Sequence, residues 1–475
     1  MAEPAIAPDR IHDLFRRQQA NRAAIKRTRA HERIAKLEKL REAVTSREAK
    51  IREAMAKDFR KSPTEVDLTE IFPVLVEIKD AIKHLHRWMR PSRIETPMAL
   101  LGTHSEVVYE PKGVVLIIAP WNYPFQLAIA PLIAAVAAGN CVILKPSELT
   151  EHTSKVIVEL VGEVFPEEEV AVVEGDAVET QKLLALPFEH FFFTGSTKVG
   201  KIVAEAAAKH LASTTLELGG KSPAIVDDSA DLHITARRLV WGKFVNGGQT
   251  CIAPDYIMVS EGREQKLVDA LKTAITDLYG ASEADRKSSA DFCRIINTRN
   301  FDRLNGMLEA SVKSGAKVET GGETDASERY ISPTILTNVK PESAVMSEEI
   351  FGPLLPILTY KNFDEVVPFI TSRDKPLALY MFGTDENRID SVIAQTTAGG
   401  TCINNTLIHF ANQNLPFGGI GASGQGNYHG FYGFKAFSHE RAVLRQGRID
   451  MLKTVYPPYG AKVQKMLKWM TRLFT

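Results

Sequence analysis

From Glu106 onward the chain alternates short, β-rich apolar runs with longer helical stretches, and no other feature constrains the fold as tightly. Val107-Val108-Tyr109 and Val114-Val115-Leu116-Ile117-Ile118 flank Pro111-Lys112-Gly113, and Cys141-Val142-Ile143-Leu144, Val170 to Val173 and Phe191-Phe192-Phe193 follow at wide intervals. Strands alternating with helices of this length predict a parallel α/β sheet. The rhythm resumes after Gly220 with Ala224-Ile225-Val226, Ile257-Met258-Val259 and Pro356-Ile357-Leu358, which suggests a second α/β unit of similar size. There is no internal repeat and no low-complexity linker.

The first ~90 residues have a different grammar, charged and helical. Ile34, Leu37, Leu40 and Val44 lie at helical spacing, and Thr45-Ser46-Arg47-Glu48 reads as a capping box opening the next helix. Ile71, Leu75, Ile78, Ile82, Leu85 and Met89 predict one long amphipathic helix, closed by Pro91 and Pro97. At 475 residues the chain has room for about three structural units.

Composition removes several classes. Hydrophobic residues at 44% and charged residues at 24% exclude wholesale disorder. Equal numbers of acidic and basic residues, 58 of each, remove the electrostatic footprint of a nucleic-acid binder. The four cysteines, Cys141, Cys251, Cys293 and Cys402, form no CxxC pair, so neither a disulfide framework nor a zinc or other metal site is expected. The N-terminus has no signal-like apolar run. The most apolar stretch, Leu127 to Ala138, is broken by Pro131 and is shorter than the ~20 residues a membrane span needs. The expectation is a soluble cytoplasmic protein.

Four segments could carry chemistry, each with an ordinary structural alternative. Phe193-Thr194-Gly195-Ser196-Thr197-Lys198-Val199-Gly200 follows a strand and opens a helix, where bare backbone and free N–H groups suit a phosphate. Its GxxxxG spacing is neither the usual dinucleotide fingerprint nor a P-loop, and a plain strand–turn–helix fits as well. Lys145-Pro146-Ser147-Glu148 ends another strand; donor and acceptor there could hold ribose hydroxyls, or form a solvated turn. Glu217, before Gly219-Gly220, is half-apolar in setting and could serve as a base with a raised pKa, or as an ion-pair partner. Asn246-Gly247-Gly248-Gln249-Thr250-Cys251 places a thiol behind flexible glycines, the kind of setting a nucleophile needs, or simply a core thiol. Cys141 and Cys402 sit in strand-like contexts and Cys293 in a charged linker. No histidine is near Cys251 in sequence, so a Cys–His dyad would need a partner brought in by folding.

Taken together the segments resemble the aldehyde dehydrogenase superfamily. Pro120-Trp121-Asn122-Tyr123-Pro124, KPSE at 145–148, FTGS at 193–196, ELGGK at 217–221, GQTC at 248–251, Glu349-Ile350-Phe351-Gly352-Pro353 and Leu415-Pro416-Phe417-Gly418-Gly419 follow in that family's order. The similarity spans about residues 30 to 450. WNYP, PLALYMF at 376–382 and Tyr428-His429-Gly430 look most like the class 3 branch, which includes enzymes for aromatic and medium- to long-chain aliphatic aldehydes.

The resemblance implies a Rossmann-type cofactor domain (1–90 and 115–217), an α/β catalytic domain (218–398) and a small β bridging arm (91–114 and 399–450). It implies that Cys251 attacks the aldehyde, that Asn122 and the Cys251 N–H hold the oxyanion, and that Glu217 activates the water that hydrolyses the thioester. Lys145 and Glu148 match positions contacting the adenosine ribose. Gly195 and Ser196 match the pyrophosphate turn, Gly200 the packing of its helix, and Glu349 and Phe351 the nicotinamide ribose. Glu148 favours NAD, with NADP open because class 3 relatives often take both. Tyr123, Trp241, Val245 and Phe417 match the lining of a substrate tunnel. A homodimer is implied, with an arm strand augmenting the partner's sheet.

The tail at 451–475 carries an apolar stripe of Val463, Met466, Leu467, Met470 and Leu473, with Lys462, Lys465, Lys468 and Arg472 elsewhere on the helix. Peripheral contact with an anionic membrane, packing on the dimer, and cover for a tunnel mouth all suit it. A CoA-acylating relative is the alternative activity, and Glu217 speaks against it. A non-catalytic scaffold has no use for Cys251, Glu217 and Asn122 together.

Overall fold

The computed structural model describes residues 9–448, 450, 453 and 456–474. Three helices, Arg10–Lys26, Ala30–Ser46 and Glu48–Phe59, open the chain. A helix does start at Glu48, but the expected capping box does not form. Ser46 is the last residue of the preceding helix, and its hydroxyl donates back to the Ala43 carbonyl at 3.1 Å. Thr45, the capping residue of that pattern, is still inside the preceding helix, and the N-cap of the new helix falls on Arg47, with no side-chain hydrogen bond. The long helix expected over 71–89 runs through Pro63–Val66, a π-helical turn at Asp67–Ile71, and Phe72–Trp88. Ile71, Ile78 and Leu85 are buried, with Leu75, Ile82 and Met89 packed against the same core.

The first large sheet has six strands in the spatial order Gly424–Gln425, Ser213–Glu217, His190–Thr194, Val114–Ile118, Cys141–Lys145 and Val170–Val172. All pairs are parallel except at the Gly424–Gln425 edge. The Val114–Ile118 strand is buried along its whole length because successive side chains enter different cores. Val115 and Ile117 join the cluster around the wholly buried Gln126–Ala138 helix, while Val114, Leu116 and Ile118 join one with Ile11, Phe191 and Val203. The chain builds outward from Val114–Ile118 to Val170–Val172, then returns to the other side of Val114–Ile118 to place His190–Thr194. That reversal creates a crevice at the carboxyl ends of the two strands, where open α/β sheets bind ligands.

The second sheet has seven strands, ordered Lys317–Thr320, Thr334–Thr337, Leu354–Tyr360, Tyr256–Ser260, Pro223–Val226, Ala378–Phe382 and Gly400–Ile403. It is parallel from Thr334–Thr337 onward. A third sheet is antiparallel and joins Ser92–Ile94, Thr103–Pro111 and Ser438–Gln446. The fold class is therefore the one expected. In the tail, Ala461–Phe474 is helical, with Leu467 and Trp469 exposed; the side chain of Leu473 lies outside the described residues. Among the described residues no helix is long and apolar enough to cross a membrane.

Candidate active site

Four parallel strands end on one edge of the first sheet, with Ile118 beside Lys145 and Phe193, and Thr194 beside Glu217. Residues far apart in sequence therefore arrive together. Asn122 and Tyr123 lie just beyond Val114–Ile118, Lys145 ends Cys141–Lys145, Gly195 and Ser196 follow His190–Thr194, and Glu217 ends Ser213–Glu217. The Gly195 N–H donates to the Glu217 carbonyl at 3.0 Å, tying the two turns.

Cys251 comes from the other half of the molecule. The Leu232–Phe244 helix runs into a loop in which Asn246, Gly247 and Gly248 are all left-handed, at φ +55°, +60° and +76°. Such a reversal selects asparagine and glycine. Gly248 also lies against the Gly352 carbonyl too closely for a side chain. Gln249 pins the loop: its Nε2 donates to the carbonyls of Asn246 at 3.0 Å and Arg294 at 3.1 Å, and its Oε1 accepts the Ile296 N–H at 2.9 Å.

The loop is stitched to the turn that carries Asn122. Asn122 Nδ2 donates to the Gln249 carbonyl at 3.1 Å, and Asn246 Nδ2 donates to the Asn122 carbonyl at 2.8 Å. The Tyr123 and Thr250 hydroxyls share a 2.6 Å hydrogen bond. Cys293 departs from its expected setting in a charged linker. The linker folds back so that Arg294 and Ile296 satisfy Gln249, which buries Cys293 against Gly247.

Of the four free thiols, Cys251 alone is half-buried; the other three are buried. Desolvation pushes its thiol up, Glu349 and Glu217 push the same way, and the N–H groups of Cys251 and Ile252 oppose them. Glu217 is buried, neither carboxyl oxygen has a hydrogen-bond partner among the described residues, and burial holds its pKa well above the usual range. Glu349 is pushed up to about 8, first by burial and then by Asp255, and its Oε1 is buried without a partner. Gly219 leaves room for that carboxyl, which occupies the space a Cβ would take. Phe351 is left-handed, at φ +51°, and meets the Trp121 ring edge-on at 5.2 Å.

Lys145 and Glu148 form an ion pair at 2.9 Å, with the lysine buried and the glutamate half exposed. They lie three strands from Glu217, roughly 14 Å at ~4.8 Å per strand, and so outside the thiol's immediate surroundings. Ser196 caps the Thr197–Lys209 helix by accepting the Val199 N–H at 3.4 Å. Gly200 is on the face packed against Leu218, where a Cβ would come within 2.6 Å of Leu218 Cδ2. Among the lining candidates, Val245 is buried at the head of the loop. Phe417 packs against Phe410, His429 and Tyr428 at 5.4, 5.6 and 5.9 Å. Trp241, one helical turn before Val245, is half-buried, and no ring packs on it among the described residues.

The sequence profile of the Aldehyde dehydrogenase family matches residues 4–443. The chain is 47% identical over 431 residues to a 4,4'-diaponeurosporen-aldehyde dehydrogenase of Staphylococcus aureus, covering 90% of this chain and 92% of that one. It is 46% identical over 428 residues to aldehyde dehydrogenase family 3 member A2 of Rattus norvegicus, covering 90% and 87%. A solved structure, the substrate-bound state of Staphylococcus aureus AldH, superposes with a TM-score of 0.93 at 44% identity, covering 97% of this chain and 100% of that chain. The chain belongs to the aldehyde dehydrogenase family.

This aldehyde dehydrogenase is an oxidoreductase of the class 3-like branch. Its crevice joins a thiol, an adjacent amide donor and two buried carboxyls whose pKa values burial raises, a set able to form and break an acyl–sulfur bond. Sequence reading did not single out Gln249 or Asn246, although both lie in the segment that carries Cys251. Nor did it single out Tyr428, whose buried hydroxyl feels both Glu217 and Cys251. Its YHG context marked the branch but carried no signal of place.

Proposed function

We propose that this aldehyde dehydrogenase oxidises a hydrophobic aldehyde, aromatic or medium- to long-chain aliphatic, to its carboxylic acid through a thioester on Cys251. The observation that carries the reading is Glu217, buried without partners beside a half-buried thiol whose loop is bonded to Asn122. The Cys251 sulfur adds as thiolate to the carbonyl carbon, and the carbonyl oxygen becomes an oxyanion between Asn122 Nδ2 and the Cys251 N–H. Such donors contribute roughly 2.7–4 kcal/mol each in comparable sites.

The residues present fit a nicotinamide dinucleotide. Glu349 Oε1 is buried and unpartnered, Glu148 offers an acceptor beside the Lys145 donor, and the Thr197–Lys209 helix presents its N-terminus to the crevice. Lys145 and Glu148 would hold the adenosine ribose, Gly195 and Ser196 the pyrophosphate, and Glu349 with Phe351 the nicotinamide ribose. When bound, the dinucleotide supplies the hydride acceptor. The Glu148 carboxylate repels a 2′-phosphate, so we propose NAD as the preferred form. Glu217 takes a proton from water, the hydroxide adds to the thioester carbon, and the Cys251 sulfur leaves as the acid forms. Tyr123, Val245, Phe417 and Trp241 would supply the apolar wall. The active unit we propose is a homodimer.

The test is reduced-nicotinamide absorbance with NAD and hexanal or decanal, without CoA. Wild type should turn over steadily, Cys251→Ala should be silent, and Glu217→Gln should give one burst and then stall. Full steady-state turnover by Glu217→Gln would assign hydrolysis to another base. Activity appearing only after CoA is added would replace water with a thiol as the acceptor.

A further inference from the structure

A lysine and two glutamates unused in the chemistry above lie beneath the catalytic loop. Lys61 and Glu70 are both fully buried and pair at 3.1 Å. The Lys61 ammonium also sits 4.4 Å from the centre of the Tyr123 ring. The second Glu70 oxygen accepts the Gln126 N–H at 2.9 Å, and the Phe125 N–H also bears on this carboxyl. These are the opening N–H groups of the Gln126–Ala138 helix, which has no side-chain cap of its own. Glu70 supplies that cap from a distant segment.

Glu65 serves the other loop. Its carboxylate accepts the Asn246 N–H at 2.9 Å, and Asn246 is the first of the left-handed residues leading to Cys251. Residues five apart would point away from each other on an α-helix. The π-helical turn at Asp67–Ile71, bonded i to i+5, brings Glu65 and Glu70 toward one side, where Lys61 pairs with Glu70 and its charge also reaches Glu65. One buried cation thus bonds the carboxyl on the Asn122 side and acts through space on the carboxyl on the Cys251 side.

We propose that Lys61, Glu65 and Glu70 are positioning residues that set the separation between Asn122 and Cys251, and so the geometry of the oxyanion in the acylation step. The inference rests on the roles given above to those two residues. No proton or electron passes through the cluster; it acts through the two loops it holds.

The test uses the full-length chain with NAD and decanal, reading the pre-steady-state burst of reduced nicotinamide. In parallel, iodoacetamide alkylation of Cys251 is followed, since it needs the thiol but no oxyanion donor, and NAD affinity is titrated. Glu65→Ala and Lys61→Met should slow the burst roughly 10- to 100-fold, with alkylation and NAD affinity within about twofold of wild type. Glu65→Gln, which keeps an acceptor for Asn246, should recover most of the Glu65→Ala loss, and Lys61→Arg part of the Lys61→Met loss. An unmoved burst in Glu65→Ala overturns the proposal, as does a burst and an alkylation rate that fall by the same factor. Should Lys61→Met fail to fold, the half-buried Glu65 pair decides alone. A silent wild type, or turnover by Cys251→Ala, removes the underlying reading, whereas an active wild type with an unmoved Glu65→Ala removes only the clamp.

Discussion

A buried carboxyl that no hydrogen bond reaches resists ionisation, and Glu217 must ionise to take a proton from water. Its folded pKa lies well above the usual value of 4.5. Across the window from 4.5 up to the raised value, the unfolded chain releases a proton that the folded chain keeps. Stability contributed by this group therefore declines as pH rises through that window. Glu217→Gln removes the dependence, so its melting temperature should gain on wild type from pH 5 to pH 8 in thermal scans. A constant difference would mean that water reaches the carboxyl. Turnover should run the opposite way, rising with pH in wild type as Glu217 ionises. The Cys251 thiol is also pushed up, so alkylation should quicken over the same range. Gly219 gives a second residue-scale case. A methyl there displaces the Glu349 carboxyl, so Gly219→Ala should raise the KM for NAD roughly tenfold while barely moving the melting temperature.

At the scale of an element, the loop before Cys251 behaves differently, because the atom facing Gly248 is main chain. A Cβ there meets the Gly352 carbonyl and sits on a φ of +76°. No rotamer change relieves it. Gly248→Ala should cost about 2–3 kcal/mol of stability and roughly 100-fold in kcat, read by denaturant unfolding and the NADH assay. Gly200→Ala meets only the end of Leu218, so it should cost less, and adding Leu218→Ala should recover part of the loss. The elements themselves were largely legible. Val114–Ile118 and Cys141–Lys145 read as strands because every residue is apolar or buried, feeding one core or the other. The π-helical turn at Asp67–Ile71 was not legible, since one extra residue per turn leaves the apolar spacing of 71–89 intact. The capping box at 45–48 does not form because Thr45 and Ser46 still belong to the Ala30–Ser46 helix and the N-cap falls on Arg47.

Across the whole molecule, the motifs announced which residues would matter but not what holds them. Asn122, Cys251 and Glu65 lie on three distant segments, and only the fold shows Asn246 bonding to both other segments. The same holds for assembly. Ser438–Gln446 pairs on one side with Thr103–Pro111 and forms an edge of its three-stranded sheet, and Gly400–Ile403 is likewise an edge of the seven-stranded sheet. A nine-residue strand at a sheet edge invites pairing, which is the physical ground for the proposed dimer. Successive residues of a strand send their N–H groups to opposite sides. Of the neighbours Ala442 and Val443, one donates toward Thr103–Pro111 and the other outward. Proline at the outward position removes only a donor to the partner, whereas proline at the inward one breaks the chain's own sheet. Wild type should sediment as two chains. One of Ala442→Pro and Val443→Pro should stay folded and sediment as a single chain, while the other should melt at lower temperature. If both variants remain dimeric with unchanged melting, the seam between protomers lies elsewhere on the molecule.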